Sequence, residues 1–335
     1  MEGIHLDTNK YNKVIEMAEN RLNQTFPSII EIQTMSFCNA NCIVCPYRSM
    51  DIKQTRMSDE RLKKILDEIS SHKDSVKRVI PYLNNEPSFD NRLLDILRTI
   101  KSLGIETEIS TNISNFKVED LKTIVDEKLI DDFRISFFGD TKEIYQKLMP
   151  GLHYEENVSK VKELLEYNEK MGNVIPIELI VVLLPELDAL GIIKGLEELF
   201  HYKKIHPFGF LDRCGKVEIA KNKKMNDNQK YVIKGCALNR PYERCCIYSD
   251  GNVVLCSQDW GKEVIIGNVF EQSIEEIWNS EKAKEIRNII LGKKTCPKDF
   301  LCTRCKLALI EKDEQLVQNF EGDKYMKNND EKMLY

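Results

Sequence analysis

The sequence has no long apolar run and no block of like charge. Its longest hydrophobic stretch, Ile177 to Ile193, is broken by Glu178, Pro185, Glu186 and Asp188, so no helix here is expected to span a bilayer. Lys and Arg number 49 against 54 Asp and Glu, a net charge of −5, and both signs are scattered. Without a basic stripe the chain lacks the electrostatic footprint of a nucleic-acid binder. The opening residues, Met1-Glu2-Gly3-Ile4-His5-Leu6-Asp7, form neither a basic segment nor an apolar one, so a signal peptide is not expected and a cytoplasmic location is. No internal repeat and no low-complexity block is present.

What the chain does have is length, core-forming residues and thiols. With 335 residues and 42% hydrophobic content, it can bury one large domain and a smaller one. Eleven cysteines in a reducing compartment point to metal ligands or catalytic thiols rather than disulfides.

From Ile29 onward, β-rich runs alternate with amphipathic helical ones, the pattern of βα units on a parallel sheet. Strands are expected at Ile29–Thr34, Arg78–Leu83, Glu106–Ser110, Asp132–Phe137, Ile175–Leu184 and Ile205–Leu211. Helices are expected at Ser58–Ser70, Arg92–Leu103, Val118–Glu127, Val158–Met171 and Ala189–His201. Six strands with five helices between them predict a partial (β/α)6 barrel over residues 29–216, after an extension over 1–28 with a helix near Tyr11–Asn23. Ala220 to Gln229 reads as a linker. A small α+β domain over 230–318 follows, with a hairpin signal at Ser249-Asp250-Gly251-Asn252 and a helix near Ile274–Ile290, and then a polar tail over 319–335.

The thiols fall into two sets. Cys38, Cys42 and Cys45, spaced C-x3-C-x2-C, follow the first strand, where a barrel builds its active site. Three thiolates on one short loop wrap a corner of a [4Fe–4S] cube and leave the fourth iron open, as a catalytic metal site requires. A zinc loop is the alternative at this spacing. Downstream, Cys236 and Cys256 flank Gly251 as C-x14-G-x4-C, and Cys302-x2-Cys305 completes a second set of four. A zinc ribbon is the alternative there, although the first spacing is longer than a C-x2-C knuckle.

The first triad resembles that of the radical S-adenosylmethionine (SAM) superfamily, and the C-terminal set resembles its SPASM/twitch subgroup; the likeness runs from about Ile29 to Leu307. The resemblance implies a radical SAM barrel followed by an α+β SPASM/twitch domain. Its cofactors would be SAM, a catalytic [4Fe–4S] cluster and one auxiliary [4Fe–4S] cluster, and an external reductant such as flavodoxin or ferredoxin would supply electrons. Asn84-Asn85-Glu86-Pro87 resembles the family's Gly-Gly-Glu-Pro motif, with Asn in place of both glycines, and assigns Glu86 to the SAM amino group. Ser110, Asn112 and Ser136 match positions that contact SAM. Tyr47 is the aromatic candidate near adenine, because Val44 stands where the family carries an aromatic, and Arg213 is a candidate for a carboxylate of SAM or substrate.

Cys214, Cys245, Cys246 and Cys296 are surplus to two clusters. Each is either a small buried hydrophobe or a reactive thiol. Cys214, Cys245 and Cys246 are candidate hydrogen-atom donors for an epimerisation. Asp250, Asp259, Trp260, Gly267-Asn268-Val269 and Trp278 read mainly as architecture, with Asp259 also a candidate substrate ligand or base. Two substrate classes compete: a small polyol, such as a sugar or aminocyclitol, that is dehydrogenated or epimerised, and a ribosomally made peptide. The small molecule is preferred because the 28 residues before the first strand are too few for the peptide-binding domain of such maturases.

Overall fold

A computed structural model of the chain describes residues 8–184, 186–220, 232–312 and 315–318. In chain order the first half contains α1 (Thr8–Arg21), β1 (Ile29–Ile32), α2 (Asp59–Ser71), β2 (Arg78–Ile80), α3 (Leu93–Ser102), β3 (Glu106–Thr111), α4 (Val118–Asp126), β4 (Asp132–Ser136), α5 (Lys142–Leu148) and α6 (Tyr154–Lys170). There follow β5 (Ile177–Leu183), α7 (Ala189–Phe200), β6 (Ile205–Gly209), β7 (Val232–Cys236), α8 (Arg240–Glu243) and β8 (Arg244–Ile247). The chain continues through β9 (Asn252–Val254), β10 (Ile265–Asn268), α9 (Ile274–Asn279), α10 (Glu281–Ile290), β11 (Ala308–Lys312) and β12 (Gln315–Gln318). Of the linker expected from Ala220 to Gln229, residues 221–229 lie outside the described residues, as does the polar tail at 319–335.

The chain divides into two units: Glu31–Phe210 with Tyr248–Asp250, and Met1–Ile30 with Leu211–Ile247 and Gly251–Tyr335. In the first, the strands run β1-β2-β3-β4-β5-β6, and each neighbouring pair from β2 to β6 is parallel. Parallel neighbours need crossover helices, and α2, α3, α4, α6 and α7 supply them. Ile109, Phe133, Ile135, Ile177 and Leu179 face those helices and are completely buried. The alternate positions carry polar groups, as a two-residue side-chain period requires. Arg78 bonds Glu106 at 3.0 Å, Glu108 at 2.9 Å and Asp132 at 3.2 Å, and Arg134 bonds Asp132 at 2.6 Å and Glu108 at 3.1 Å. These groups sit at the strand N-termini. In a barrel that end serves stability, while chemistry belongs to the other end. This is the partial α/β barrel expected, with one helix more: α5, whose Tyr145 packs on Phe137 at 4.5 Å between ring centroids.

In the second unit, β12-β11-β7 form one antiparallel sheet and β10-β9-β8 pair antiparallel. The helix expected over Ile274–Ile290 is two helices. Ser280 leaves helical geometry, with ψ at 150°, and its side chain accepts from Ala283 N to start α10. The N-terminal helix α1 packs in this unit, with Ala18 buried beside Ile233, Leu255 and Ile290. Trp278 donates to Gln24 O at 3.0 Å, and Arg287 lies over its ring at 3.8 Å while donating to Pro241 O and Trp278 O. Burial holds Arg287 down at about 10, with Cys245 and Tyr242 opposing the drop.

Candidate active site and auxiliary thiol centre

The triad loop leaves β1 and is held by backbone bonds. Asn41 N donates to Pro150 O at 2.8 Å, Ile43 N to Leu148 O at 3.0 Å and Cys45 N to Cys42 O at 3.1 Å. Cys38 N donates to Tyr47 Oη at 3.0 Å, which places Tyr47 as a brace of the loop. All three thiols are half-buried and none of the eleven cysteines is in a disulfide. Burial pushes the Cys38 thiol up to about 12; Glu86 and Cys45 add to the rise, and an N–H···S bond from Ala40 opposes it. Burial, then Cys45 and Cys38, raise Cys42 well above its ordinary value. Three half-buried thiols on one short loop are a donor set suited to a soft cation such as cluster iron.

Glu86 sits three residues beyond Leu83, and its carboxylate is enclosed. Oε1 accepts from Thr111 Oγ1 at 2.5 Å, Ser88 Oγ at 2.7 Å and Ser88 N at 3.2 Å. Oε2 accepts from Asn112 N at 2.8 Å, which leaves it one further acceptor site. Burial raises this carboxyl, and the Asn112, Thr111 and Ser88 bonds oppose the rise. Asn84, in place of the family's first glycine, has φ of 57°, a left-handed conformation that Asn adopts more readily than most residues. Asn85 Oδ1 accepts from Leu83 N at 2.8 Å, while its Nδ2 is buried without a partner. A buried donor with nothing to bond, beside an acceptor with spare capacity, fits a zwitterionic ligand such as SAM.

Asn112 ties this motif to the triad. Its Nδ2 donates to Asn39 Oδ1 at 3.0 Å and its Oδ1 accepts from Ser114 Oγ at 2.6 Å, while Asn39 Nδ2 donates to Ser114 Oγ at 2.8 Å. Cys38, Cys42, Cys45, Tyr47, Glu86 and Asn112 are thus brought together. Ser110 and Ser136 sit half-buried near the C-terminal ends of β3 and β4. Arg213, Cys245 and Cys246 belong to the other unit, where both of those cysteines are fully buried on β8.

In that unit Cys236 ends β7, Cys256 follows β9, Cys302 lies in a 3-10 turn (Leu301–Arg304) and Cys305 comes directly after it. Three of the sulfurs accept an N–H from the residue two positions on: Cys236 from Leu238, Cys256 from Gln258, and Cys305 from Leu307 at 3.4 Å. Backbone N–H···S bonds of this kind tune iron–sulfur ligands. Burial pushes Cys236 up to about 11 and raises Cys256 and Cys302 well above the ordinary range. The Arg240 guanidinium, bonded to Ser257 Oγ at 2.8 Å, opposes the rise at Cys236 and Cys256. Arg240 Nε and Gln258 Nε2 are buried donors without partners beside this thiol set, which suits an anionic cluster. Among the described residues no three His, Cys, Asp or Glu gather to hold a single metal ion; a cube spreads its thiolates over separate irons.

Comparison with known proteins decides the family. The model of the radical SAM superfamily matches residues 32–188, and that of SPASM, an iron–sulfur cluster-binding domain, matches residues 236–306. The chain is a radical SAM enzyme with a C-terminal SPASM domain.

The cofactor-modifying protein of the tungsten-containing aldehyde ferredoxin oxidoreductase of Pyrococcus furiosus is 26% identical, over 82% of this chain and 86% of that protein. The S-adenosyl-L-methionine-dependent 2-deoxy-scyllo-inosamine dehydrogenase of Niallia circulans is 23% identical, over 86% of this chain and 96% of that one. Among solved structures, Streptococcus suis SuiB bound to its precursor peptide SuiA superposes with a TM-score of 0.65 at 16% identity, over 89% of this chain and 80% of that one. That likeness is one of fold.

Radical SAM and SPASM domains imply SAM and iron–sulfur clusters as cofactors. In the radical SAM domain, Cys38, Cys42 and Cys45 would hold a [4Fe–4S] cluster, which when bound supplies the electron that cleaves SAM to a 5′-deoxyadenosyl radical. The chain's own residues orient and enclose. Tyr47 and the Asn39–Asn112 bond fix the loop, and Glu86 Oε2 and Asn85 Nδ2 would be the acceptor and donor open to the SAM amino acid moiety.

Asp259, the candidate substrate ligand or base, is completely buried and accepts from Glu263 N and Val264 N, both at 2.8 Å, so it closes a turn of the SPASM domain. Sequence reasoning missed the bracing of Cys38 by Tyr47, the buried Asn85 amide and the Arg240 guanidinium. Only the position of Arg240, four residues after Cys236, could have signalled it.

Proposed function

We propose that this enzyme abstracts a hydrogen atom from a carbinol carbon of a small polyol, a sugar or aminocyclitol, in a dehydrogenation or an epimerisation, with one auxiliary [4Fe–4S] cluster in the SPASM domain. The reading rests on one observation: Cys236, Cys302 and Cys305 pack in one cluster with Leu255, the neighbour of Cys256, which brings together enough thiols for one cube. A single auxiliary centre gives a dehydrogenation an outlet for its second electron. The dehydrogenase of Niallia circulans, matched over 96% of its length, is named for an aminocyclitol, and the Pyrococcus furiosus relative is named for modifying a cofactor, which is also a small molecule.

The test is anaerobic turnover with a panel of sugars and aminocyclitols, and separately with peptides, in heavy water. A dehydrogenase yields 5′-deoxyadenosine with a carbonyl product and no solvent deuterium at the reacting carbon. An epimerase leaves deuterium there and stops when its donor thiol, Cys214, Cys245 or Cys246, is replaced. Turnover of a peptide and of no polyol overturns the substrate class.

A further inference from the structure

Two polar side chains of the SPASM domain are left with donors to spare. Gln258 is only 3% exposed, and among the described residues its Nε2 has no acceptor. Arg240 Nε is likewise enclosed and unpaired. Buried donors are nearly always satisfied, because an unpaired one gives up its water for nothing in return. Both residues belong to turns that follow a cysteine. Arg240 begins α8 just after the turn that Asn239 N closes on Cys236 O at 2.9 Å. Gln258 lies inside the turn that Asp259 N closes on Cys256 O, also at 2.9 Å.

Hydrogen bonds gather these turns and the remaining thiols in one place. Arg240 Nη1 donates to Ser257 Oγ at 2.8 Å, which fastens the turn after Cys236 to the residue beside Cys256. Cys236 is the register partner of Ala308, and Ala237 N donates to Leu307 O at 2.8 Å, which fastens the same turn to the segment after Cys305. Cys305 N donates to Cys302 O at 3.2 Å. The side chains packed around them, Leu255, Phe300, Leu301 and the spare thiol Cys214, are buried and bring no oxygen acceptor. Two donors therefore lack acceptors where four thiols converge, and the sulfur of an anionic cluster is the acceptor that fits.

We propose that Arg240 and Gln258 tune the auxiliary centre: Arg240 Nε and Gln258 Nε2 donate hydrogen bonds to the cluster held by Cys236, Cys256, Cys302 and Cys305 and raise its reduction potential. A donor aimed at cluster sulfur stabilises the added negative charge of the reduced state. In a dehydrogenation the substrate radical gives its second electron to this centre as its hydroxyl proton leaves, so the two donors set how readily that electron is accepted. The inference rests on the single-auxiliary-cluster reading above.

The experiment uses the full-length chain with Cys38, Cys42 and Cys45 all replaced by Ala, so that any remaining iron belongs to the auxiliary centre. In this background Gln258→Met, close in size but without an N–H, and Arg240→Lys, which keeps the charge but loses Nε, are compared by iron content and EPR-monitored redox titration. The expected result is unchanged iron and a more negative potential in each variant. An unchanged potential in either overturns the assignment of that donor. A second measurement needs no variant: with arginine guanidinium and glutamine amide nitrogens labelled with 15N, pulsed EPR of the reduced centre should show 15N coupling. Its absence overturns the proposal even where a variant fails to hold iron. Absence of iron with Arg240 and Gln258 intact would instead defeat the auxiliary-cluster reading, and this inference with it.

Discussion

The backbone N–H of Asn112 donates to Glu86 Oε2 at 2.8 Å, while the Asn112 side-chain amide reaches Asn39 inside the cysteine triad at 3.0 Å. One residue at the end of β3 thereby couples the carboxylate that would receive the SAM ammonium to the loop that would carry the cluster. Asn84 adopts the needed left-handed φ, and Asn85 closes a local bond to Leu83 N.

Replacing Glu86 separates its two roles. Glu86→Ala strands Thr111 Oγ1, Asn112 N and Ser88, and losing a charge-assisted bond to the SAM ammonium costs about 1.5–3 kcal/mol, or about 10- to 150-fold in affinity. Anaerobic calorimetry with SAM should show that loss, while iron content stays at the wild-type level. Unchanged affinity would mean that the carboxylate serves only the turn.

Tyr47→Phe removes the oxygen that accepts Cys38 N–H and leaves the ring in place. A lost bond of this kind costs about 0.5–1.5 kcal/mol, so the cluster should still assemble but bleach faster under a chelator. The decay of the iron–sulfur absorbance near its visible maximum, followed anaerobically, measures this. A variant that cannot bind SAM but bleaches at the wild-type rate would favour an adenine contact for Tyr47 over bracing.

Iron stoichiometry tests both thiol sets at once. Reconstituted protein should hold about eight irons, and the Cys38/Cys42/Cys45→Ala variant about four with SAM cleavage abolished. Zinc in the C-terminal set would restore the ribbon reading.

Much of this was legible before any coordinates. The six strands begin and end within a few residues of expectation, because Ile109, Phe133, Ile135, Ile177 and Leu179 print their burial as alternation in the sequence. The cysteine spacings announced both thiol sets. What stayed hidden depends on contacts distant in sequence. The break at Ser280 lies inside a continuous helical pattern and shows only through the side chain capping Ala283 N. β7 and β11 are short and pair across more than seventy residues. The left-handed turn at Arg213 and Cys214 is not encoded in any local pattern.

Asp90 carries the acid sensitivity of the segment that follows Glu86. Burial tends to raise it, but the Arg92 guanidinium, bonded at 2.7 Å to Oδ2 and 2.9 Å to Oδ1, outweighs that and holds the carboxyl below its ordinary value. A carboxyl lowered in the folded state binds its proton more weakly there than in the unfolded chain. Its stabilisation is therefore complete above the unfolded value of about 3.9 and is lost as pH falls through the folded one. Asp90→Asn should lower stability at pH 7 and flatten the decline below about pH 4, read from denaturant melts across that range. An acid limb as steep as that of the wild type would assign the sensitivity to other carboxylates.

Gly251 is the fixed glycine of the C-x14-G-x4-C pattern, and the structure gives its reason. Its φ is 84°, and a Cβ there would stand 2.5 Å from Asn268 Oδ1 and 2.5 Å from the Phe270 ring. Asn268 cannot simply withdraw, because its Oδ1 accepts Phe270 N at 2.9 Å and its Nδ2 donates to Asn252 at 3.2 Å. Gly251→Ala therefore combines a disfavoured backbone, about 1–3 kcal/mol, with overpacking of similar size. Because β9 leads directly to Cys256, the strain falls on the auxiliary thiols and leaves the triad loop alone. The expected outcome is a lower melting temperature with auxiliary iron partly or wholly lost, while the Cys38, Cys42 and Cys45 cluster still assembles. Mössbauer or EPR spectra that resolve the two clusters give the readout, and equal loss of both would show that the glycine serves folding of the whole chain.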